Sequence, residues 1–82
     1  MQAKLTIIGA GSGSFSLAMI RDLCLTPNLA GITVSLMDIN PERLDAAYAV
    51  CKRFAGEVGF AIHLEKTLDR RQALEGADFV IN

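Results

Sequence analysis

The sequence predicts an α/β fold built on a parallel sheet, and three observations carry that prediction. Apolar strand-like runs alternate with helical patterns along the whole chain. A glycine-rich turn, Gly9-Ala10-Gly11-Ser12-Gly13-Ser14-Phe15, sits between the first strand and the first helix. An aspartate, Asp38, closes the second strand. Parallel strands joined by helices require right-handed crossovers. The expected arrangement is the first half of a Rossmann-like doubly wound sheet, strand order 3-2-1-4, truncated after the fourth strand.

Each element has its own signal. Lys4-Leu-Thr-Ile-Ile-Gly9 is a short apolar run, as in a strand buried on both faces. From Ser14 to about Leu25 a helix is expected, with Phe15, Leu17, Ala18, Met19, Ile20, Leu23 and Cys24 nearly all round it, so it should be widely buried. Pro27 and Gly31 make residues 26–31 a loop. Ile32 to Met37 is the second strand. Asn40 caps a second helix whose first residue is Pro41. Leu44, Ala47, Tyr48, Cys51, Phe54, Ala55 and Val58 then form an amphipathic stripe, and Gly59 ends it. Phe60, Ile62 and Leu64 alternate with Ala61, His63 and Glu65 as a third strand. A short helical turn over residues 70–74 ends at Gly76, and residues 77–82 form the fourth strand.

Composition narrows the function. The chain has 82 residues, 51% hydrophobic and 21% charged, with a formal net charge of −1. That excludes disorder. Without a basic patch, no nucleic-acid partner is expected. No run reaches the ~18 apolar residues of a membrane span, so no membrane partner is expected either. Cys24 and Cys51 have no partners at metal-ligand spacing and read as small core residues of a reducing, cytoplasmic compartment. The chain stops in the apolar run Phe79-Val80-Ile81, which would form a bare sheet edge. Residues 1–82 are therefore expected to be the N-terminal part of a longer nucleotide-binding domain. The alternative is a complete small domain that hides the edge by dimerising.

The glycine turn carries the chemistry. Gly9 permits the tight turn, and Gly11 lets a pyrophosphate approach the backbone. The N–H groups of residues 12–15, at Ser12, Gly13, Ser14 and Phe15, point out of a helix N-terminus that favours an anion. Ser14 stands where G-x-G-x-x-G has its third glycine, and serine is small enough for that packing position. Asp38 is placed to accept ribose hydroxyls and to repel a 2′-phosphate, which favours NAD over NADP; the alternative is a residue that only leads into the second helix. The turn upstream favours the ribose role. Arg43 lies along adenine or ribose, or is a solvated surface arginine. Asn82 lies where the nicotinamide half passes, or is a strand-end residue without contacts. Thr67 and Asp69 border the adenine or cap the short helix, the second being preferred. His63 reads as structural or surface, and Tyr48 as core. No catalytic or metal-ligating set is visible in the segment.

Lys4-Leu-Thr-Ile-Ile-Gly-Ala-Gly-Ser12 with Phe15, Arg21-Asp-Leu-Cys-Leu-Thr-Pro27, Ser35-Leu-Met-Asp-Ile39 with Glu42-Arg-Leu-Asp45, and Glu75-Gly-Ala-Asp-Phe-Val-Ile-Asn82 together resemble the start of glycoside hydrolase family 4. The likeness is greater to the α-glucosidase and α-galactosidase branch than to the 6-phospho-glycosidases. It implies an oligomeric enzyme that uses NAD and a divalent metal, usually Mn²⁺. Its small-molecule glycoside would be oxidised at C3, deprotonated at C2, cleaved by elimination, hydrated and reduced again. This differs from the paired-carboxylate route. The resemblance puts the cofactor turn on Gly9 and Gly11 to Phe15, and the ribose contact on Asp38. The metal ligands, the substrate-binding asparagine and the catalytic base would lie beyond residue 82, so the segment alone should be inactive. The competing readings are a lactate/malate-type NAD-dependent dehydrogenase and a stand-alone nucleotide-binding module.

Overall fold

The computed structural model describes residues 2–82. Two five-residue strands, β1 (Lys4–Ile8) and β2 (Thr33–Met37), form the centre of a parallel sheet. β3 (His63–Thr67) pairs with β2, and β4 (Phe79–Ile81) pairs with β1. The resulting order, β3-β2-β1-β4, is the one expected. Between the strands run α1 (Gly13–Cys24), a 3-10 turn (Pro27–Leu29), α2 (Pro41–Val58) and the short α3 (Arg70–Leu74).

Alternation along the strands divides the sheet into unlike faces. Leu5 and Ile7 of β1 and Val34 and Leu36 of β2 point to one side. They are buried with Ile20 and Leu23 of α1 and Leu44, Cys51 and Ala55 of α2. The other face carries Lys4, Thr6 and Ser35. There the Thr6 hydroxyl donates to the Ala73 carbonyl of α3 at 2.6 Å. The Lys4 ammonium donates to the carbonyls of Gln72 and Glu75 at 3.3 and 2.7 Å. A cation on the last carbonyls of a helix is favourable, so this lysine fastens α3 to the sheet.

Four expectations need correction. The third strand begins at His63 rather than Phe60 and runs to Thr67. Gly59 takes the left-handed conformation (φ 70°), and the next N–H, from Phe60, donates back to the Ala55 carbonyl, so Phe60 belongs to the end of α2. The strand instead follows the length of β2, with Thr67 opposite Met37. Helix α1 is not widely buried. Ser16, Ile20 and Leu23 are buried, Phe15 is exposed, and Leu17, Met19 and Cys24 are half-covered, because among the described residues α1 packs on one side, against α2, the sheet and the 3-10 turn. Val58, in the last turn of α2, is 51% exposed rather than part of the buried stripe. Tyr48 is half-buried, its hydroxyl donating to the Leu64 carbonyl at 3.4 Å with the Lys66 ammonium 4.8 Å from its ring. At the sheet's outer edge, Phe79 and Val80 of β4 are exposed.

Candidate functional site

The site is built at the carboxyl ends of β1 and β2. β1 ends, and Gly9 (φ 81°) reverses the chain over the end of β2. The N–H groups of Gly9 and Ala10 both donate to the Met37 carbonyl at 2.9 Å. The N–H of Gly11 donates to Asp38 Oδ2 at 2.8 Å. Three consecutive donors of the turn therefore end on Met37, the last residue of β2, and on Asp38, the residue after it. The chain then enters α1, where the buried Ser16 hydroxyl donates back to the Ala10 carbonyl at 2.8 Å.

The first turn of α1 is not closed from within. Ser12 occupies the N-cap position but makes no side-chain capping bond, and no acidic residue stands in the first turn. The N–H groups of Gly13, Ser14 and Phe15 find no acceptor among the described residues. The peptide dipoles add a partial positive charge there. The exposed hydroxyl-bearing residues Ser12 and Ser14 flank these donors.

Asp38 does two things at once. Its Oδ2 holds Gly11, and its Oδ1 accepts the Asn40 N–H at 2.9 Å. The Asn40 bond is the expected lead into α2, and the Gly11 bond is an addition to it. The Asn40 N–H bond, then the Gly11 N–H and the nearby Arg43 charge, hold the carboxyl below its ordinary 3.8 against the opposing effect of burial. Each carboxylate oxygen has a second lone pair, so capacity remains for ribose hydroxyls.

Gly11 has a reason beside the one expected of it. A Cβ built there would stand 2.6 Å from Asp38 Oδ2, 2.9 Å from its Cγ and 3.1 Å from the Cβ of Arg43. The space above Gly11 is taken by the Asp38 carboxylate, which leaves no room for a side chain there.

Two open grooves flank the turn. One, of about 680 Å³, lies between Gly9, Asp38, Ile39, Leu68 and Arg70. The other lies between α1 and α2, lined by Gly11, Gly13, Ser14 and Arg43. Gly9, Gly11, Gly13, Ser14, Asp38 and Arg43 are thus brought together, with Ser12 and Phe15 adjoining in sequence. Asn82 follows β4 at the same end of the sheet but makes no hydrogen bond or ion pair with them. Asp69 caps α3, its Oδ1 accepting from the N–H groups of Arg71 and Gln72. Thr67 accepts the Asp69 N–H and donates to Gln72 Oε1. Sequence reasoning missed Ser16, Ile39, Leu68 and Arg70. A serine on the buried side of an apolar helix was the only advance signal among them.

Among the described residues no group of three or more His, Cys, Asp or Glu side chains is arranged to hold a metal ion. Among the described residues no helix is long and apolar enough to cross a membrane.

The winding of the sheet, with its glycine turn between β1 and α1, defines a Rossmann-like α/β unit. Residues 4–82 match the family described as family 4 glycosyl hydrolase. The chain belongs to that family, which decides against the lactate/malate-type dehydrogenase. It is 36% identical over 81 residues to an alpha-glucosidase of Erwinia rhapontici, covering 99% of this chain and 18% of that protein. It is 34% identical over 79 residues to an alpha-galactosidase of Bacillus subtilis (strain 168), covering 96% of this chain and 18% of that protein. Among solved structures, a 6-phospho-alpha-glucosidase from gut microorganisms, in complex with NAD and Mn²⁺, superposes with a TM-score of 0.80. The sequence identity there is 21%, over 98% of this chain and 18% of that one. The chain thus spans 18% of the length of these relatives.

Proposed function

We propose that residues 4–82 form the part of a family 4 glycosidase that holds the adenosine and pyrophosphate of NAD, in an enzyme acting on unphosphorylated α-glycosides. The carrying observation is the uncapped start of α1 beside a carboxylate with lone pairs to spare. The N–H groups of Gly13, Ser14 and Phe15 would meet the pyrophosphate, with the Ser12 and Ser14 hydroxyls beside them. Asp38 would accept the ribose hydroxyls, and its charge disfavours a 2′-phosphate. Arg43 stands beside Gly11, and Asn82 lies on the nicotinamide side of the sheet. When bound, NAD would supply a transient hydride acceptor for oxidation at sugar C3. The described residues do not fit the Mn²⁺ that accompanies NAD in the structural relative, so no step through a metal is assigned to them. The α-glucosidase and α-galactosidase relatives support the unphosphorylated substrate class. A homo-oligomeric, cytoplasmic enzyme is the accompanying expectation.

The test is calorimetric titration of the natural-length protein with NAD and NADP, followed by cleavage assays on nitrophenyl α-glucoside and α-galactoside with NAD and Mn²⁺. Binding of NAD in preference to NADP, and cleavage dependent on NAD, are expected. No binding of either dinucleotide would overturn the assignment.

A further inference from the structure

We propose that Asp38 is the positioning residue that gives the glycine turn its shape, and that residue 11 is glycine to make room for it. The geometry separates this role from ribose binding. Gly9 and Ala10 are anchored on the Met37 carbonyl, which any side chain at position 38 would leave in place. Among the described residues the Gly11 N–H, which leads into α1, is held by the Asp38 side chain alone, across 27 residues of sequence. The same carboxylate takes the Asn40 N–H, and Asn40 Oδ1 in turn accepts the Arg43 N–H at 3.0 Å. One side chain therefore ties the approach to α1 to the first turn of α2. Its two oxygens point at two fixed N–H donors, so the carboxylate cannot swing away without releasing one of them. The 2.6 Å separation from a Cβ at position 11 is the steric face of the same arrangement.

The consequence concerns cofactor choice, and it rests on the dinucleotide reading above. If Asp38 only bound ribose and repelled a 2′-phosphate, replacing it would relax selectivity towards NADP. If Asp38 also shapes the turn, replacing it loosens the phosphate site, and affinity for both dinucleotides falls together. Hydrogen bonds to a charged acceptor are strong enough for a loss of about ten- to a hundredfold.

The experiment uses the natural-length protein and four forms: unsubstituted, Gly11→Ala, Asp38→Ser and the double variant. Thermal midpoints without ligand are read first, then affinities for NAD and NADP. Gly11→Ala is expected to lower the midpoint where Asp38 is present and to change it little in the Asp38→Ser background. The oxygen at 2.6 Å is then gone, the serine Oγ can rotate away from the 2.9 Å position of the aspartate Cγ, and a shift of a few tenths of an ångström relieves the 3.1 Å approach to Arg43 Cβ. Asp38→Ser should weaken NAD at least tenfold without tightening NADP. Equal effects of Gly11→Ala in both backgrounds would overturn the proposal, as would a gain in NADP affinity in Asp38→Ser. If Asp38→Ser does not fold, Asp38→Ala carries the same cycle, since it removes every side-chain atom that a Cβ at position 11 would meet on residue 38. If the unsubstituted protein binds no dinucleotide, the functional reading fails, while the midpoints still decide whether Asp38 shapes the turn.

Discussion

Helices α1 and α2 start at the same end of the sheet, on neighbouring strands, and treat their first N–H groups in opposite ways. In α2, Asn40 Oδ1 accepts the Arg43 N–H, Pro41 has no N–H to satisfy, and Glu42 sets a negative charge in the first turn. In α1, the N-cap Ser12 makes no such bond and the first turn holds no acid. A helix that caps itself has used its donors and screened its dipole. One that does not leaves both for an anion from outside. On the proposed reading, α1 is the helix that meets the ligand and α2 its support. Asp38, at the end of β2, connects the two.

The most severe break of this contrast is Gly11→Val. The first added carbon alone would stand 2.6 Å from Asp38 Oδ2. We expect dinucleotide binding to be lost and the thermal midpoint to fall; unchanged calorimetric affinity would refute the assignment of the turn. Next in size is Asn40→Ala, which removes the α2 cap. Stability should drop by about 1 kcal/mol in denaturant unfolding, with NAD affinity little changed. Its counterpart Ser12→Ala should leave stability within about 0.5 kcal/mol, because no cap is lost. The same change should weaken NAD several-fold if the hydroxyl meets the pyrophosphate. A stability loss equal to that of Asn40→Ala would erase the distinction between the helices.

Acid gives a graded version of the test. The native carboxyl of Asp38 lies below its ordinary 3.8, held there first by the Asn40 N–H. Its contribution is therefore present above that value and lost as pH falls through the lower native one. The amide proton shifts of Gly11 and Asn40 should move together in that acidic window and stay constant above about pH 5; a midpoint above 3.8 would contradict the two-donor arrangement. The smallest expected effect is at Cys51, buried in the core beneath α2. Burial pushes its thiol up to about 11, so iodoacetamide at pH 8 should leave it unmodified in the native protein. Rapid labelling would show that the α2–sheet core opens readily.

The α2 cap, Asp69 at the start of α3 and the left-handed Gly59 were legible because each acts within a few residues of itself. The glycine turn was legible for the same reason. The start of β3 was misplaced because the alternation begun at Phe60 ignores the closing bond that follows a left-handed glycine. The burial of α1 was overstated because apolar residues all round a helix do not say which faces will find a partner. Ile39 and Leu68 entered the candidate site only because the ends of β2 and β3 lie side by side.

The sequence by itself determined the strand–helix alternation, the order β3-β2-β1-β4, the turn and the aspartate at the end of β2. Period, capping and glycine content act locally, and right-handed crossover leaves little choice of winding. Only the tertiary structure decided that Asp38 closes on Gly11, that Met37 receives two N–H groups of the turn, and that Lys4 holds the end of α3. Those contacts join residues 27 or more positions apart. Strand pairing must bring them together before distance and direction can make them bonds.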